Sequence, residues 1–566
     1  MKKNVLALSI AAMVGGLGFA GAASAGVIVG TGAAPTAAVL GASNAQSFAL
    51  SEGGTGHNLV VPYFSAQNGN MTVLHLVNTD TRNGKAVKVR FRGAANSDDL
   101  MDFQVFLSPQ DVWTAAVSQG ANGVLQLASS DNTCTLPRLN SAPGASDGAK
   151  AANAVGYFNG TTGRLNPKLS DAARANGSRE GYVEIFNMAD IPSAAVYGST
   201  TDAQSALYKT IKHNAAGVAA CDSTVLNPAV LTTDWTTQAT AAARGLATPT
   251  TGLMGDWYIM NVPQTTTFSG AATALTAVDG ANGTGAAARG NYVLFPQRAT
   301  PVDAATANQV TADPLFRTVN VGLEKNAAGA VTGGTFNNPV IRAGLYDLPD
   351  MSTPYFGALS DTQPLTQAQA LSQALAVTQV INQYANDASI SGKTDWVFSM
   401  PTRRYSVALN YNGANANNAA VRVFSSDILN GGVAFFHSGN TEVTNENADA
   451  RICVAADGQS FFGREEQFRE DGAVLSPGEV ATFRFCGETS VLSFADANGN
   501  SVLAATVARQ DTGNSAFNRG WAFANVTNGG AGLPILGASF QKLTNPSAGA
   551  GFSGTYGITW PHRYAR

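Results

Sequence analysis

The chain has 566 residues, a formal net charge of −4 and only 13% charged side chains. That length allows several hydrophobic cores or one large elaborated core, and the lack of a basic excess argues against nucleic acid as a partner. Sixty glycines and a hydrophobic fraction of 45%, much of it alanine, suit a β-rich, loop-rich extracellular chain.

The first residues read as a secretory signal. Lys2 and Lys3 form the charged region, Val5–Phe19 the apolar region, and Ala23-Ser24-Ala25 a small-residue cleavage site, so the mature chain is expected to start at Gly26. The apolar run is too short for a membrane anchor, the residue directly after the cleavage site is Gly26 and not a cysteine, and no later segment has the length and apolarity of a transmembrane helix. The expected location is therefore exported: the cell surface or extracellular space, with the periplasm as the other exported compartment. Residues 26–51, poor in large side chains, read as a flexible lead-in. Residues 52–566 read as one β-sandwich-like surface domain with an insertion at about 129–393.

The clearest fold signal is Met71–Thr114. Val87, Val89 and Phe91 alternate with Lys88, Arg90 and Arg92, and Phe103, Val105 and Leu107 repeat the period of two. Asn83-Gly84 suits a hairpin turn, and Ser108-Pro109-Gln110-Asp111 turns the chain again before Trp113. Further strands are expected at 59–64, 181–188, 255–262, 291–296 and 394–409. In the C-terminal part they are expected at 420–424, 432–437, 451–454, 480–486, 490–494, 502–509, 520–526 and 539–543. Weak helices are expected over 201–213 and 234–246. A strong one is expected over Leu365–Tyr384, with Thr366 and Gln369 as a capping box. Residues 269–289 show no pattern. The fold class is mainly β: an antiparallel β-sandwich-like core with long loop insertions and a few helices. The segment 107–114 is echoed at 475–482, which suggests two similarly built sheet corners.

Cys134, Cys221, Cys453 and Cys486 are an even set in an exported chain and read as disulfides. Chain order favours Cys134 with Cys221 and Cys453 with Cys486, and the other two pairings stay open. No Cys-x-x-Cys pair, His-Glu-x-x-His, Gly-x-Ser-x-Gly or nucleotide loop occurs, so no catalytic or cofactor-binding residue is assigned and the chain is expected not to be an enzyme. Asp98, Asp99 and Asp102 make an oxygen-rich loop that suits Ca²⁺, although a plain sheet rim accounts for them better. Asp496–Asn500 is read as a hairpin turn. Lys88, Arg90 and Arg92 form a basic stripe: either a solvated strand face or a contact for acidic polysaccharide. Trp113, Trp257 and Trp560 are candidates for stacking on sugar rings.

The segments LVVPYFSAQNGNMTVLHLVNTD, SDDLMDFQVFLSPQDVWTA, TDWVFSMPTRR and TWPHRY together resemble a group of exported bacterial proteins described only as cell surface proteins. The composition is similar to that of surface-layer proteins. The resemblance implies surface location and a β-rich fold, and carries no catalytic residues. The reading is a secreted cell-envelope structural or interaction protein that self-associates into a layer or fibre. Its rivals are a polysaccharide-binding adhesin, an outer-membrane β-barrel and, last, a secreted hydrolase.

Overall fold

The structure is a computed structural model. It describes residues 26–566 except 144–148, 198–204, 227–236, 295–323, 326–330, 334–349, 354, 358–362, 412–420, 425–434, 445–449, 471–482, 495–500, 512–516, 528–531, 546, 550 and 552–553. The signal segment, the 475–482 echo and Asp496–Asn500 lie outside the described residues.

The first fifteen strands run β1 (Gly26–Ile28), β2 (Ser47–Leu50), β3 (Asn58–Ser65), β4 (Asn70–Asn78), β5 (Asn83–Gly93), β6 (Asp99–Leu107), β7 (Val112–Gln119), β8 (Leu125–Ser129), β9 (Cys134–Leu136), β10 (Gly156–Asn159), β11 (Glu180–Pro192), β12 (Leu253–Asn261), β13 (Thr266–Ala271), β14 (Thr273–Val278) and β15 (Tyr292–Leu294). They build a seven-stranded sheet, β2-β14-β3-β11-β5-β6-β9, and a six-stranded sheet, β10-β8-β7-β4-β12-β13. Between the two sheets lies a core that includes Val87, Val89, Phe91, Phe103, Val105, Leu74, Leu76, Trp113 and Trp257. The inward half of the period-two pattern is therefore as expected from sequence.

Asn83-Gly84 is not a hairpin. Both residues are the start of β5, paired with Pro192 and Ile191 of β11, and β4 and β5 belong to different sheets. The real hairpin joins β5 to β6 through residues 94–98. The Ser108–Asp111 turn is present: the Asp111 amide donates to the Ser108 carbonyl and Gln110 takes φ 63°. It carries the chain across from β6 to β7, so it is a corner between sheets.

Two boundaries differ from expectation. The lead-in supplies β1, paired with β15, and β2, the edge strand beside β14. Residues 129–393 are not an insertion, because β11 is the central strand of the seven-stranded sheet and β12 to β14 complete both sheets. Residues 269–289, patternless in sequence, contain the end of β13 and all of β14. Alanine and threonine in these strands pack without advertising a hydrophobic period.

The C-terminal part adds two five-stranded sheets. One has the order Phe468–Glu470, Gly458–Gly463, Arg519–Asn525, Gln379–Ala385, Arg563–Ala565; the other has Arg509–Asp511, Thr489–Phe494, Lys393–Ser399, Ala538–Thr544, Thr555–Pro561. Its residues Val397, Val491, Leu503 and Phe540 join the sandwich core, and the Phe540 ring lies 5.5 Å from Phe268. Among the described residues the strands form open sheets, and no helix is long and apolar enough to cross a membrane.

The expected helix over Leu365–Tyr384 is half right. Residues Gln363–Leu375 are helical, which puts Thr366 inside the helix and not at its cap. From Gln379 the chain is a strand, with Val380, Asn382 and Tyr384 buried and Gln383 exposed. The β-branched residues Val377, Val380 and Ile381 sit equally well on a helical stripe or a pleat, and pairing with Arg519–Asn525 decides it. The weak helices shorten to Ala206–Ile211 and Gln238–Ala243. The expected strand over 394–409 is broken by a 3-10 turn at Arg403–Tyr405. Residues 502–508 form turns whose amides at Thr506, Val507 and Ala508 donate to the buried Glu180 carboxylate at 2.7, 2.8 and 2.9 Å.

Both disulfides follow chain order, Cys134–Cys221 and Cys453–Cys486.

Candidate binding surface

The basic stripe is not a solvated face. Lys88, Arg90 and Arg92 are all buried, because the outer face of the seven-stranded sheet is covered. Its cover includes Tyr355, helix residue Leu371 and Tyr405, which share a core with Phe106, Tyr182 and Phe186 of the sheet. The charges survive burial by pairing. Lys88 Nζ lies 2.6 Å from Asp102, and Arg90 Nη1 2.6 Å from Asp99. Arg92 reaches Asp99 at 3.3 Å, Glu184 at 3.3 Å and Asp350 at 3.6 Å. Arg404, from the TDWVFSMPTRR segment, closes the cluster: its Nη2 is 2.7 Å from Asp350 and 3.4 Å from Glu184, and its guanidinium lies 4.1 Å over the Tyr405 ring. Burial pushes the Asp350 carboxyl up, but the guanidinium groups of Arg404, Arg92 and Arg90 outweigh it and hold the group below its ordinary value.

The aspartates proposed for calcium are engaged in the same interior. Asp99 and Asp102 serve Arg90, Arg92 and Lys88, and Asp98 accepts from the Tyr411 hydroxyl at 2.6 Å. The 94–98 hairpin plugs into the C-terminal part. The Ala94 carbonyl accepts from the amides of Glu488 and Thr489, and the Asn96 side chain donates to the Ala450 carbonyl. Gly487, at φ +105°, makes room for it; a Cβ there would stand 2.8 Å from the Ala94 oxygen. Among the described residues no group of three His, Cys, Asp or Glu side chains is placed to hold a metal. The residues singled out as a rim and wet face thus form a buried ionic seam between the two parts of the chain.

Two histidines share that buried character. His562 donates from Nε2 to the Val397 carbonyl at 2.9 Å while Nδ1 faces the Asn382 amide at 2.9 Å, an arrangement that suits one neutral tautomer. Burial lowers its pKa from 6.5 to about 3, against the pull of the Val397 bond. His57 is lowered to about 3 by burial and by Lys85. Asp395 opposes them, raised by burial to about 6. The unfolded chain takes up two histidine protons that the folded chain refuses as pH falls from 6.5 to 3, while Asp395 and the carboxyls of Glu180, Glu488 and Asp111, all raised by burial, bind protons more readily in the folded chain and oppose that loss. The histidine contribution is therefore read by difference: on going from pH 7 to pH 5, His562→Gln is expected to shift the unfolding midpoint in the stabilising direction relative to the shift of the wild type. A variant whose midpoint changes with pH as the wild type's does contradicts the assignment.

Of the three tryptophans, Trp113 and Trp257 are 1% and 2% exposed and belong to the sandwich core. They are not sugar-stacking candidates. Only Trp560, 38% exposed on the edge strand Thr555–Pro561, reaches solvent.

The aromatic surface lies elsewhere. On Arg519–Asn525, Ala522 and Ala524 face inward and Trp521 and Phe523 face outward. Tyr384, Phe461, Phe494 and Trp396 fill the interior beneath, so only small residues fit on that side of the strand. Register places Phe462 and Gln383 on either side of Trp521, and Ser460 and Ile381 on either side of Phe523. The Phe462 and Trp521 rings stack at 4.2 Å with an interplanar angle of 8°. Phe468, 56% exposed, lies 5.0 Å beyond Phe462, and Phe523 lies 5.8 Å from it. Trp521 is 41% exposed. The rim is polar: Gln383 is exposed, Gln379 donates to Asn525 at 3.0 Å, and Arg519 is neutralised by Asp387 at 2.5 Å. Sequence reading assigned 520–526 to a strand but left this face unread. The available signal was RGWAFAN itself, where large aromatics alternate with Ala.

No known protein family, curated protein or solved structure matches the chain.

Proposed function

We propose that this is an exported cell-envelope structural and interaction protein that makes its contacts through the face built on Trp521, Phe462, Phe468 and Phe523. The observation that carries this reading is the face itself: four clustered rings on the outside of a sheet whose other side is a filled core. Clustered exposed aromatics on an otherwise well-buried chain mark interaction sites. The signal-like N-terminus and the pairing of all four cysteines support export to an oxidising compartment. Self-association into a layer or fibre is one use of such a face. Attachment to surface polysaccharide is the second, favoured by the planar amides at its rim.

The test is rebinding. Purified mature chain is added to cells that lack it, and retention on the envelope is compared for wild type and a Trp521→Ala/Phe468→Ala variant. Both side chains are exposed, so the variant is expected to keep its unfolding midpoint and lose retention by at least tenfold. Equal retention overturns the proposal.

A further inference from the structure

The geometry points to a neutral pyranose polysaccharide as the ligand of the aromatic face, an inference that rests on the interaction reading above and names its chemistry. Pyranose rings present axial C–H groups on one face and hydroxyls around the equator. A site for them needs an aromatic plane with planar hydrogen-bonding groups beside it. Trp521 meets both needs. Phe462 covers one face of its indole, and the neighbour on the other side, across the strand pair, is the exposed amide of Gln383. Along the same outward face the Gln379–Asn525 amide pair stands two register steps away, with Ile381 and Phe523 between.

Charge complementarity selects among ligands. The cation at the Trp521 end of the strand, Arg519, already has its counter-ion in Asp387. The centre of the face, Trp521, Phe462, Phe523, Gln383 and Ile381, carries no charge, and its two margins carry one of each sign: Glu470 opposite Ser460, and the exposed Arg563 opposite Ile381. An uncharged, amide-rimmed aromatic centre between margins of opposite sign matches a neutral, hydroxyl-rich chain better than a polyanion, which Glu470 would repel and a single arginine at the margin would have to hold. The stripe suggested for acidic polysaccharide, Lys88, Arg90 and Arg92, is buried and spent on carboxylates.

The experiment uses the whole mature chain. Neutral and acidic polysaccharide fractions are extracted from the envelope of the producing cells, and binding is read by affinity electrophoresis and by acrylamide quenching of tryptophan. The neutral fraction is expected to retard the wild type and shield a quenchable tryptophan. Trp521→Ala is expected to lose retardation at least tenfold, and Gln383→Ala to weaken it several-fold. Preference for the acidic fraction, or undiminished retardation of Trp521→Ala, overturns the inference. Periodate, which cleaves vicinal diols, separates this failure from failure of the broader reading. If envelopes treated with periodate still retain the chain through Trp521, the ligand is not a glycan but the interaction face stands. If neither treated nor untreated envelopes retain it, both fall.

Discussion

Arg404→Met is expected to lower the stability of the folded chain by about 3–5 kcal/mol, the usual effect of stripping one partner from a buried ionic cluster. Arg404 lies within ion-pair distance of both Asp350 and Glu184, and all three are buried. Without it, two carboxylates share Arg92, which already serves Asp99. Methionine preserves much of the volume, so the loss reports charge and not packing. Asp350→Asn alone is also expected to destabilise, but the double variant is expected to fall short of the sum by more than about 1 kcal/mol, because the pair is removed together. Denaturant unfolding of the four proteins measures this. Additive losses would mean that Arg404 and Asp350 do not act on each other.

The second large effect is loss of the Cys134–Cys221 bond. It closes a loop with a sequence separation of 87, for which the loop-entropy relation gives roughly 4–5 kcal/mol. The bond fastens β9, at the edge of the seven-stranded sheet, to the segment that follows the helix Ala206–Ile211. Cys453–Cys486 spans a separation of 33 and joins residues directly opposite each other in a strand pair. Its loss is expected to cost less, since strand pairing holds the same two residues together. Unfolding midpoints of the two paired Cys→Ser variants, each keeping the other disulfide, check the order. A larger loss from Cys453–Cys486 would contradict it.

The mainly β architecture was legible because Val87, Val89 and Phe91 repeat every second residue, and a period of two in large side chains has one physical reading. What covers the opposite face was not legible. Lys88, Arg90 and Arg92 look like a wet face by polarity, yet Asp350, Leu371, Arg404 and Tyr405 arrive from far downstream to bury and neutralise them. Local pattern carries no information on a cover supplied at that distance. The same limit hid the candidate face. In RGWAFAN, polarity points the aromatics inward, whereas the crowding of Tyr384, Phe461 and Trp396 beneath the strand leaves room there only for alanine. The disulfide pairing was favoured by chain order and is as favoured, since each pair joins elements that close on each other locally.

The central claim, that this chain works at the outer surface of the cell, is tested most directly by a single introduced thiol. The four native cysteines are in disulfides, so Asp171→Cys, at a side chain 95% exposed and on a different element from the aromatic face, adds one reactive site. Intact cells are treated with a membrane-impermeant maleimide. Labelling at Cys introduced there, equal before and after lysis, is the predicted result. Labelling that appears only after lysis would contradict the account.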